Sequence, residues 1–466
     1  MSDILFQIVA EKKQEIERLY EQYDLDTLRR ITRPATKNFY RALAAARAQG
    51  EPFFIAEFKR KSPSEGWIDP DASVPRRVLA YTRAGAGAVS VLTDTSFFGG
   101  SYTDLEQAAQ AFDASNFNTT PLLLQKDFVL DPIQIYLARL HGADIILLIA
   151  AILTPEQLFS LKQTAETLGM GVLVEVHNQA ELDAIQHLDF PVLGINNRDL
   201  KTFRTALNRL NVLGRQAAGR FIIAESGIHD YRDFRIVGRA DGFLIGTSLM
   251  RQAANGQAPD AENLSFMDLF RAKRPGYLFK ACGIRTASLP GAATADFIGI
   301  NFSPLSNRRV GPGVLDALPL PPNAVAVFYQ NTEAEIRDTL ARYPFRYVQL
   351  YAGDVTPDFV RSLRQKVLLA GRLREPADLE QLEEYAADVD LFVLDGATPG
   401  SGQRIGTTIP PDFPYPFLLA GGLNLSNLKT LSHYKNCIGA DIASGIETDG
   451  QVDLEKISAI ADWLIG

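Results

Sequence analysis

Short apolar runs of strand length recur along the first half of the chain, and helix-like stretches separate them. The runs are continuous and do not alternate with polar residues, as expected of parallel strands covered on both faces. The segment 154–169 has helical spacing, with Thr154 as the N-cap and a terminal glycine. Eight βα units predict a closed (β/α)8 barrel more readily than an open sheet. The runs begin at residues 52, 88, 121, 143, 171, 192, 221 and 241.

The same pattern starts again in the second half of the chain, with tighter spacing. Its runs begin at residues 278, 297, 324, 347, 366, 391, 417 and 439. Small and polar residues between the two sets indicate a domain boundary. The sequence therefore predicts an α/β protein of two tandem TIM barrels: a first barrel over 1–255, a linker over 256–276 and a smaller barrel over 277–466. The charge pattern before the first run predicts extra helices over one mouth of the first barrel, as a lid or partial cover.

Composition limits the class of protein. The chain has 466 residues, 46% of them hydrophobic and 22% charged, which is the balance of a globular protein with two good-sized cores. Its two cysteines cannot form a disulfide framework and its first residues lack a signal-peptide core, so we expect a reducing cytoplasm. No apolar run approaches the roughly 20 residues that cross a bilayer, so we expect no membrane partner. A net charge of −8 argues against a nucleic-acid partner, and any anion site must be a local pocket.

Charged and polar side chains stand where strands of the predicted first barrel end. In such barrels the C-terminal strand ends and the loops after them carry the chemistry. Taken singly, each charged pair is best explained as a salt bridge that plugs the barrel. Because a lysine beside a glutamate in a half-dry cleft supplies a general acid and a general base, their convergence favours an acid–base site. The residues are Glu57, Lys59, Lys126, Glu175, Asn196, Arg198, Glu225 and Ser226.

Small residues follow the seventh and eighth strands of this set. Their backbone N–H groups and hydroxyls can face an oxyanion at a short helix N-terminus. Either group alone is a weak signal, because glycine after a strand is commonly a turn, but together they predict a phosphate site. The set comprises Gly227, Gly246, Thr247 and Ser248, with Ser62 as a further hydroxyl.

Seven strings, in order, closely resemble the indole-3-glycerol-phosphate synthase family along 1–255: EFKRKSPSEG, SVLTDTSFFGGS, KDFVLDPIQIYLAR, LVEVHN, GINNRDL, ESGI and FLIGTSLM. That family closes an indole ring in 1-(2-carboxyphenylamino)-1-deoxyribulose 5-phosphate, with loss of carbon dioxide and water. The resemblance implies that Lys126 is the general acid at the substrate carbonyl, that Glu175 is the acid/base for dehydration, and that Lys59 binds the substrate carboxylate. It also implies that three further residues orient substrate or support the lysines: Glu57, Asn196 and Glu225.

Side-chain chemistry agrees with these implied roles. A positioned ammonium such as that of Lys126 can polarise a ketone under attack. Glu175 can shuttle the proton for dehydration if its surroundings raise its pKa. Arg198 either pairs with a carboxylate such as Glu175 or contacts substrate. An anthranilate ring needs an apolar slot, for which the candidates near strand ends are Phe98, Phe128 and Leu148, although a single phenylalanine is more often a core residue.

The second half resembles the phosphoribosylanthranilate isomerase family over 278–466, through KACGIR, INFSPLSNRRV, VQLYAGD, LFVLDGATPGSGQR, LLAGGLN and DIASGIE. That family opens a ribosylamine and moves a proton, so one general acid and one base are needed. The resemblance assigns the base to Cys282 and the acid to Asp395, although a lone buried cysteine is more often inert. Cys437 is expected in the core or at the surface. The further candidates are Arg308 for the substrate carboxylate, Asp441 for structure or for the substrate hydroxyls, and Gly421, Gly422, Ser444 and Gly445 for a second phosphate site.

Two positions depart from the isomerase pattern. Tyr351 stands where that family usually has a histidine, and the string IGT from Ile405 replaces FDW. The exchange at Tyr351 leaves open a second barrel that only stabilises the chain or binds sugar phosphate. The residues also leave room for an aldolase that forms a Schiff base at Lys126, and for a sugar-phosphate sensor without turnover.

The two resemblances together imply a fusion enzyme of tryptophan biosynthesis, in which the second barrel makes the substrate of the first. Neither reaction requires a metal or an organic cofactor, and the five histidines are scattered, so we expect neither. The expected partners are phosphorylated small molecules. We expect a monomer, with a homodimer as the second possibility.

Overall fold

The computed structural model describes residues 3–199, 204–217, 219–238, 240–254, 276–285, 288–311, 313–316, 319–372, 377–395 and 409–465. The chain divides into two compact units, each built around one barrel. Most of the linker predicted over 256–276 lies outside the described residues, so its bounds stay a prediction.

The first barrel consists of eight parallel strands in a closed ring. The ring closes because β1 pairs in parallel with β4 on one side and with β10 on the other. Its strands are β1 (Phe53–Phe58), β4 (Ala88–Leu92), β5 (Leu122–Lys126), β6 (Ile145–Ile149), β7 (Gly171–Val176), β8 (Val192–Asn196), β9 (Phe221–Glu225) and β10 (Gly242–Ile245). A two-stranded hairpin, β2 (Lys61–Ser62) with β3 (Gly66–Trp67), follows β1. Every strand run predicted in this half is confirmed.

Helices connect these strands, and their starts follow from local capping chemistry. The Thr154 hydroxyl accepts from the Gln157 backbone N–H while the Gln157 side chain accepts from Thr154, and Pro155 occupies the first helical position. Asp131 and Gln134 form the same reciprocal cap. The helices are α1 (Asp3–Gln22), α2 (Leu25–Ile31), α3 (Phe39–Ala48), α4 (Val74–Arg83), α5 (Tyr102–Asp113), α6 (Pro132–Leu140), α7 (Pro155–Thr167), α8 (Gln179–Ile185), α9 (Arg209–Gly214), α10 (Tyr231–Ile236) and α11 (Thr247–Ala254).

The helices before β1 pack against both ends of the first barrel, not one. Ile4, Leu5 and Ile8 of α1 line the cleft at the C-terminal ends of the strands. Phe39 of α3 packs at the opposite end, where its ring centroid lies 6.0 Å from that of Phe53 at the start of β1. The prediction of a cover over one mouth was therefore incomplete, because an apolar helix face does not reveal which end of a barrel it closes.

The second barrel repeats the closed eight-stranded ring, with β11 paired to both β12 and β18. The strands are β11 (Leu278–Cys282), β12 (Phe297–Asn301), β13 (Ala324–Val327), β14 (Tyr347–Tyr351), β15 (Lys366–Arg372), β16 (Leu391–Asp395), β17 (Phe417–Leu419) and β18 (Cys437–Ile442), and β19 (Glu447–Thr448) with β20 (Gln451–Val452) forms a hairpin. The helices are α12 (Glu333–Arg342), α13 (Pro357–Ser362), α14 (Ala377–Glu383) and α15 (Leu454–Ile465). Cys437 begins β18 and is buried, so of the two predicted locations the core is confirmed.

Short 3-10 turns complete the connections, at Ala150–Ile152, Pro290–Ala292, Ala386–Asp388, Leu428–His433 and Ser444–Ile446. Among the described residues, no helix combines the length and apolarity that a membrane crossing requires. The strands of both closed barrels match the predicted runs, so the two predicted barrels are confirmed.

Candidate active sites

A cleft opens at the C-terminal ends of the first barrel's strands, where this fold places its chemistry. Lys126, Asn196 and Glu225 each end a strand, and Glu175 is the residue before the end of β7. The barrel therefore brings together side chains that lie far apart in sequence. The polar strand-end residues that line the cleft are Glu57, Lys59, Lys126, Glu175, Asn196, Arg198, Glu225 and Ser226.

Lys126 is the centre of the charged cluster. Its Nζ lies 2.8 Å from Glu175 Oε2 and 3.3 Å from Glu225 Oε2. Asn196 Nδ2 donates to the second oxygen of Glu175 at 3.2 Å. One ammonium thus joins two carboxyl groups, and the arrangement can donate and accept protons at one place.

The two glutamates beside Lys126 hold their protons differently. Burial pushes the pKa of Glu175 upward, but Lys126 and His177 outweigh it and hold that pKa well below its usual range. Burial raises the pKa of Glu225 to about 8; Lys126 opposes this rise and the Glu175 charge adds to it. The raised pKa that would suit a proton shuttle at Glu175 is found instead at Glu225, because Glu175 has two cationic partners.

His177 and Glu181 lie next to Glu175 but were not among the predicted site residues. His177 is buried, and its Nε2 lies 2.9 Å from Glu175 Oε1 while its Nδ1 lies 3.0 Å from Glu181 Oε2. Burial would lower the pKa of His177, but the two carboxylates raise it to about 9. The signal was present in the sequence, since residues two apart on a strand share a face and Glu181 lies just inside the following helix.

Lys59 and Glu57 form a second ion pair, with 2.5 Å between Nζ and Oε1. Gly246 lies directly against this pair, because a Cβ atom there would come 2.3 Å from Glu57 Oε1. Only glycine leaves the Glu57 carboxylate where it is, so the residue before α11 serves the charged cluster as well as the loop.

The residues predicted to bind phosphate all line the same cleft: Ser62, Gly227, Gly246, Thr247 and Ser248. Ser226, predicted at the end of the seventh strand, lines it beside them. Ser226 and Gly227 both have left-handed backbone conformations, with φ of 63° and 79°. A non-glycine residue held in that region is uncommon and points to a constrained loop. The Ser248 hydroxyl donates to the Ile228 carbonyl at 3.2 Å, which ties the loop after β9 to the start of α11. The geometry suits an anion bound between two strand ends.

The apolar part of the cleft differs from the prediction at one residue. Phe98 and Phe128 line it, with ring centroids 6.0 Å apart. Leu148 is fully buried but does not line the cleft, whereas Leu147 and Ile149 do. The prediction for Leu148 was wrong because successive side chains of a strand point to opposite faces, and its side chain faces away from the barrel interior.

Arg198 was predicted either to pair with a carboxylate such as Glu175 or to contact substrate. Its Nη1 donates to Ser64 Oγ at 2.9 Å, and its backbone N–H donates to Asn196 Oδ1 at 3.0 Å. Burial lowers the pKa of Arg198, with Glu65 and Glu57 opposing. Because Lys126, His177 and Asn196 surround Glu175, the contacts favour an Arg198 that faces substrate.

The second barrel has its own cleft at the same ends of its strands. Cys282 ends β11 and Asp395 ends β16, and Asp441 is the residue before the end of β18. All three line the cleft together with Arg308 and Tyr351. The two predicted acid–base residues therefore share one cavity.

A buried lysine lies beside Cys282. Lys280 is fully buried, and its Nζ donates to both oxygens of Asp441 at 2.8 and 2.9 Å. Gly299 leaves room for Cys282 and Lys280, since a Cβ at this position would come 2.9 Å from Cys282 Sγ and 3.2 Å from Lys280 Nζ. Burial raises the pKa of the Cys282 thiol to about 11, with Lys280 opposing. Asp441 was predicted either to have a structural role or to bind the substrate hydroxyls. Its ion pair with Lys280 agrees with the structural role.

Arg308 is already engaged by a carboxylate of the chain. Its Nε and Nη2 each donate to an oxygen of Glu447 at 2.6 Å. Gly283 makes room for the arginine, because a Cβ there would come 2.3 Å from Arg308 Cδ. A planar guanidinium fork of this kind matches a carboxylate, and a substrate carboxylate would have to share it with Glu447.

Three of the four residues predicted for the second phosphate site line this cleft. Gly421, Gly422 and Ser444 line the cleft, and the two glycines have φ of 89° and 67°. Gly445 lies outside this cleft but lines an adjoining cavity together with Gly422 and Ser444, and a Cβ there would come 2.0 Å from the Leu423 carbonyl oxygen. Its role at the phosphate stays a prediction.

Tyr351 is buried at the end of β14, where its ring centroid lies 5.0 Å from that of Tyr329. Burial raises its pKa well above the ordinary value, and the charges of Asp395 and Cys282 add to the rise. The phenol therefore keeps its proton. Ile405 and the rest of the IGT string lie outside the described residues.

Over the part of the chain that the structure describes, no group of three or more His, Cys, Asp or Glu side chains is arranged to hold a metal ion.

The comparisons with known proteins assign both halves. The family model of indole-3-glycerol phosphate synthase matches residues 5–260, and that of N-(5'-phosphoribosyl)anthranilate (PRA) isomerase matches residues 280–462. A Salmonella typhi protein named tryptophan biosynthesis protein TrpCF is 33% identical over 478 residues, which cover 100% of this chain and 99% of that protein. The chain belongs to the TrpCF family.

Two further likenesses accompany the TrpCF match. The multifunctional tryptophan biosynthesis protein of Schizosaccharomyces pombe is 32% identical over 469 residues, which cover 91% of this chain but 60% of that longer protein. The crystal structure of phosphoribosyl anthranilate isomerase from Thermus thermophilus is 28% identical and covers 40% of this chain and 96% of its own, with a TM-score of 0.34. In this TrpCF family member the synthase domain is the first barrel and the isomerase domain is the second.

Proposed function

We infer that the chain catalyses two consecutive steps of tryptophan biosynthesis. The isomerase barrel converts N-(5-phosphoribosyl)anthranilate to 1-(2-carboxyphenylamino)-1-deoxyribulose 5-phosphate, and the synthase barrel converts that ketose to indole-3-glycerol phosphate. The observation that carries this is the presence, in each barrel, of an acid–base pair beside a glycine-rich loop at the strand ends. We also propose that the chain is a cytoplasmic monomer, which sedimentation velocity would test.

In the synthase barrel, Lys126 supplies the proton for ring closure. The aromatic carbon that bears the carboxylate attacks the ketone, and the Lys126 ammonium protonates the carbonyl oxygen as charge develops there. Burial would lower the pKa of Lys126, but Glu175 and its neighbouring glutamates raise it above the ordinary value, so the ammonium form is ready to donate. Lys59 holds the substrate carboxylate until it leaves as carbon dioxide.

Dehydration then needs a base for a carbon-bound proton and an acid for the leaving hydroxyl. The ionised Glu175 takes the proton from carbon and passes it to the hydroxyl, which leaves as water. Asn196 and Glu57 orient the substrate and the intermediate. Glu225, which holds a proton at neutral pH, keeps a second negative charge away from Lys126. The phosphate lies against Ser226, Gly227 and Thr247, and the ring lies against the cleft's phenylalanines.

In the isomerase barrel, Asp395 protonates the ring oxygen of the ribose, and the ring opens to an iminium ion. The Cys282 thiolate then removes the proton from the neighbouring carbon, and the resulting enamine tautomerises to the ketone. Since the thiol has a raised pKa, its thiolate is a minor but strongly basic species. Gly421, Gly422 and Ser444 hold the phosphate.

A coupled assay on the full chain tests both assignments. Phosphoribosylanthranilate is supplied to wild type, K126A and C282A, and its loss is followed together with the appearance of the ketose and of indole-3-glycerol phosphate. We expect K126A to accumulate the ketose and C282A to leave the first substrate unused, each with a loss of about 100-fold or more, as for a general acid or base. Cys437→Ala, at the buried second cysteine, is the matched control and should retain both activities.

Two outcomes would contradict the proposal. If wild type makes indole-3-glycerol phosphate only from added ketose, the isomerase barrel is catalytically impaired, and the Tyr351→His variant is the first to make. If K126A keeps its synthase turnover, the assignment of the general acid is wrong.

A further inference from the structure

His177 lies in a chain of contacts that leads from the surface of the synthase barrel into its cleft. Glu181, on α8, accepts from the His177 backbone N–H at 2.7 Å and contacts its Nδ1 at 3.0 Å. The opposite ring nitrogen, Nε2, lies 2.9 Å from Glu175 Oε1. The imidazole therefore lies between two carboxylates, with a hydrogen bond at Nδ1 and a close ion-pair contact, outside hydrogen-bond geometry, at Nε2. Two carboxylates at these distances favour the imidazolium ion.

We propose that His177 is a positioning residue of the synthase reaction, which bridges Glu175 to Glu181, aims the Glu175 carboxylate into the cleft and supplies a positive charge beside it. This role rests on the proposed function of Glu175. Neither His177 nor Glu181 lines the cleft, so both act through Glu175 and not on substrate.

The burial of the three side chains explains why the bridge is effective. The exposed fractions of the side chains are 3% for Glu175, 4% for His177 and 17% for Glu181. Charges at such depth are weakly screened, so a contact of 2.9 Å acts strongly on the protonation of its partner. The second carboxylate fixes the ring from behind, since Glu181 is itself held by Asn178 Nδ2 at 2.6 Å.

The remaining groups around Glu175 do not replace this charge. Lys126 on β5 is shared between Glu175 and Glu225 of β9. Asn196 on β8 is a neutral donor. Just after β1, Lys59 is paired with Glu57. His177 is therefore the cation that Glu175 keeps when Lys126 gives up its proton.

The first test measures the pH profile of synthase kcat and KM in wild type and H177Q, with the isomerase turnover of the same chain as an internal control. Without a positive neighbour a carboxyl group protonates at higher pH, so the acid limb of kcat should move upward by about one pH unit, with KM little changed. An acid limb in H177Q that coincides with that of wild type would overturn the proposal.

The second test reads the imidazole directly and does not depend on turnover. Nitrogen-15 NMR of the five histidine rings, with H177Q for assignment, should give a midpoint near pH 9 for His177 in wild type. In E181Q the midpoint should fall toward about 6.5, the value of an unperturbed histidine. Asp183→Asn, which removes the same charge from an exposed position of α8, should leave the midpoint in place.

A His177 midpoint near 6.5 in wild type, or equal shifts in E181Q and D183N, would also overturn the proposal. Glu175→Gln separates this from a failure of the proposed function. If E175Q keeps its synthase turnover, the role of Glu175 is wrong; if E175Q is inactive and the H177Q profile is unchanged, only the role of His177 is wrong.

Discussion

At the scale of single residues, the synthase cleft assigns opposite protonation states to two glutamates that touch the same lysine. Glu175 has two cationic partners and stays ionised, whereas Glu225 shares one and has its pKa raised to about 8. Side-chain identity alone does not distinguish them, since both lie at strand ends of the same barrel. The difference comes from His177, which contacts Glu175 through Nε2 and Glu181 through Nδ1.

This difference predicts unequal effects of removing the two carboxylates. Glu225→Gln replaces a group that is protonated at neutral pH with a neutral one of the same shape, so synthase kcat at pH 7 should stay within about threefold of wild type. Glu175→Gln should lose about 100-fold or more. Because Glu225 ionises as the pH rises through about 8, any fall in wild-type kcat at that pH should be absent from E225Q. The measurement is kcat from pH 6 to 9, and a collapse of E225Q at pH 7 would contradict the assigned protonation.

At the scale of elements, α1 is fixed at the barrel mouth by one buried lysine. Lys12 Nζ lies 2.8 Å from Asp127 Oδ1 and 3.2 Å from Asp94 Oδ2, and it also contacts Glu15 at 2.7 Å. Asp127 directly follows Lys126, so the helix that carries Leu5 into the cleft is tied to the strand end that carries the proposed general acid. A charge pattern on an amphipathic helix predicts the helix but not this anchor.

Removing the anchor should cost stability and substrate binding together. Lys12→Met leaves two buried aspartates without their shared cation, which costs about 3–5 kcal/mol in the free energy of unfolding. The same change should raise KM for the ketose, because α1 would pack less firmly over the cleft, while isomerase KM stays unchanged. Lys13→Met, at the exposed neighbouring position, is the matched control. Urea unfolding with both KM values is the measurement, and equal results for K12M and K13M would refute the anchor.

The sequence predicts the positions of the strands and of the residues at their ends, but it does not predict the direction or the pairing of every side chain. Strand positions follow from continuous apolar runs, and residues at strand ends follow from the barrel topology, so Lys126, Glu175 and Cys282 could be found. Leu148 was wrong because a strand that is apolar on both faces does not reveal which residues point inward. The role of Gly445 stays a prediction, because close backbone packing and a ligand loop require the same residue type. His177 was missed because a pairing with Glu175 and Glu181 depends on the turn into α8.

At the scale of the whole molecule, the described residues that line each cleft come from the half of the chain that forms that barrel. Fusion fixes a one-to-one ratio of the two enzymes. The family assignment matches this, since two separate family models account for the two halves.

Independent sites predict complementation between damaged chains. A mixture of K126A and C282A should convert phosphoribosylanthranilate to indole-3-glycerol phosphate, at about half the rate of the same total concentration of wild type, because the ketose made by one chain is released and bound by another. Progress curves for the mixture and for each variant alone are the measurement. A mixture without indole-3-glycerol phosphate, from variants that each keep their undamaged activity, would show that the ketose must stay on the chain that made it.

The position of α1 has a practical consequence for anyone who attaches a label or an affinity handle. Ile4 and Leu5 line the synthase cleft, so a peptide joined ahead of Met1 would begin only a few residues from that cleft. We expect a bulky N-terminal fusion to obstruct entry to the synthase cleft and to leave the isomerase activity unchanged. A preparation assayed only for isomerase activity would then be judged intact although its synthase activity is reduced.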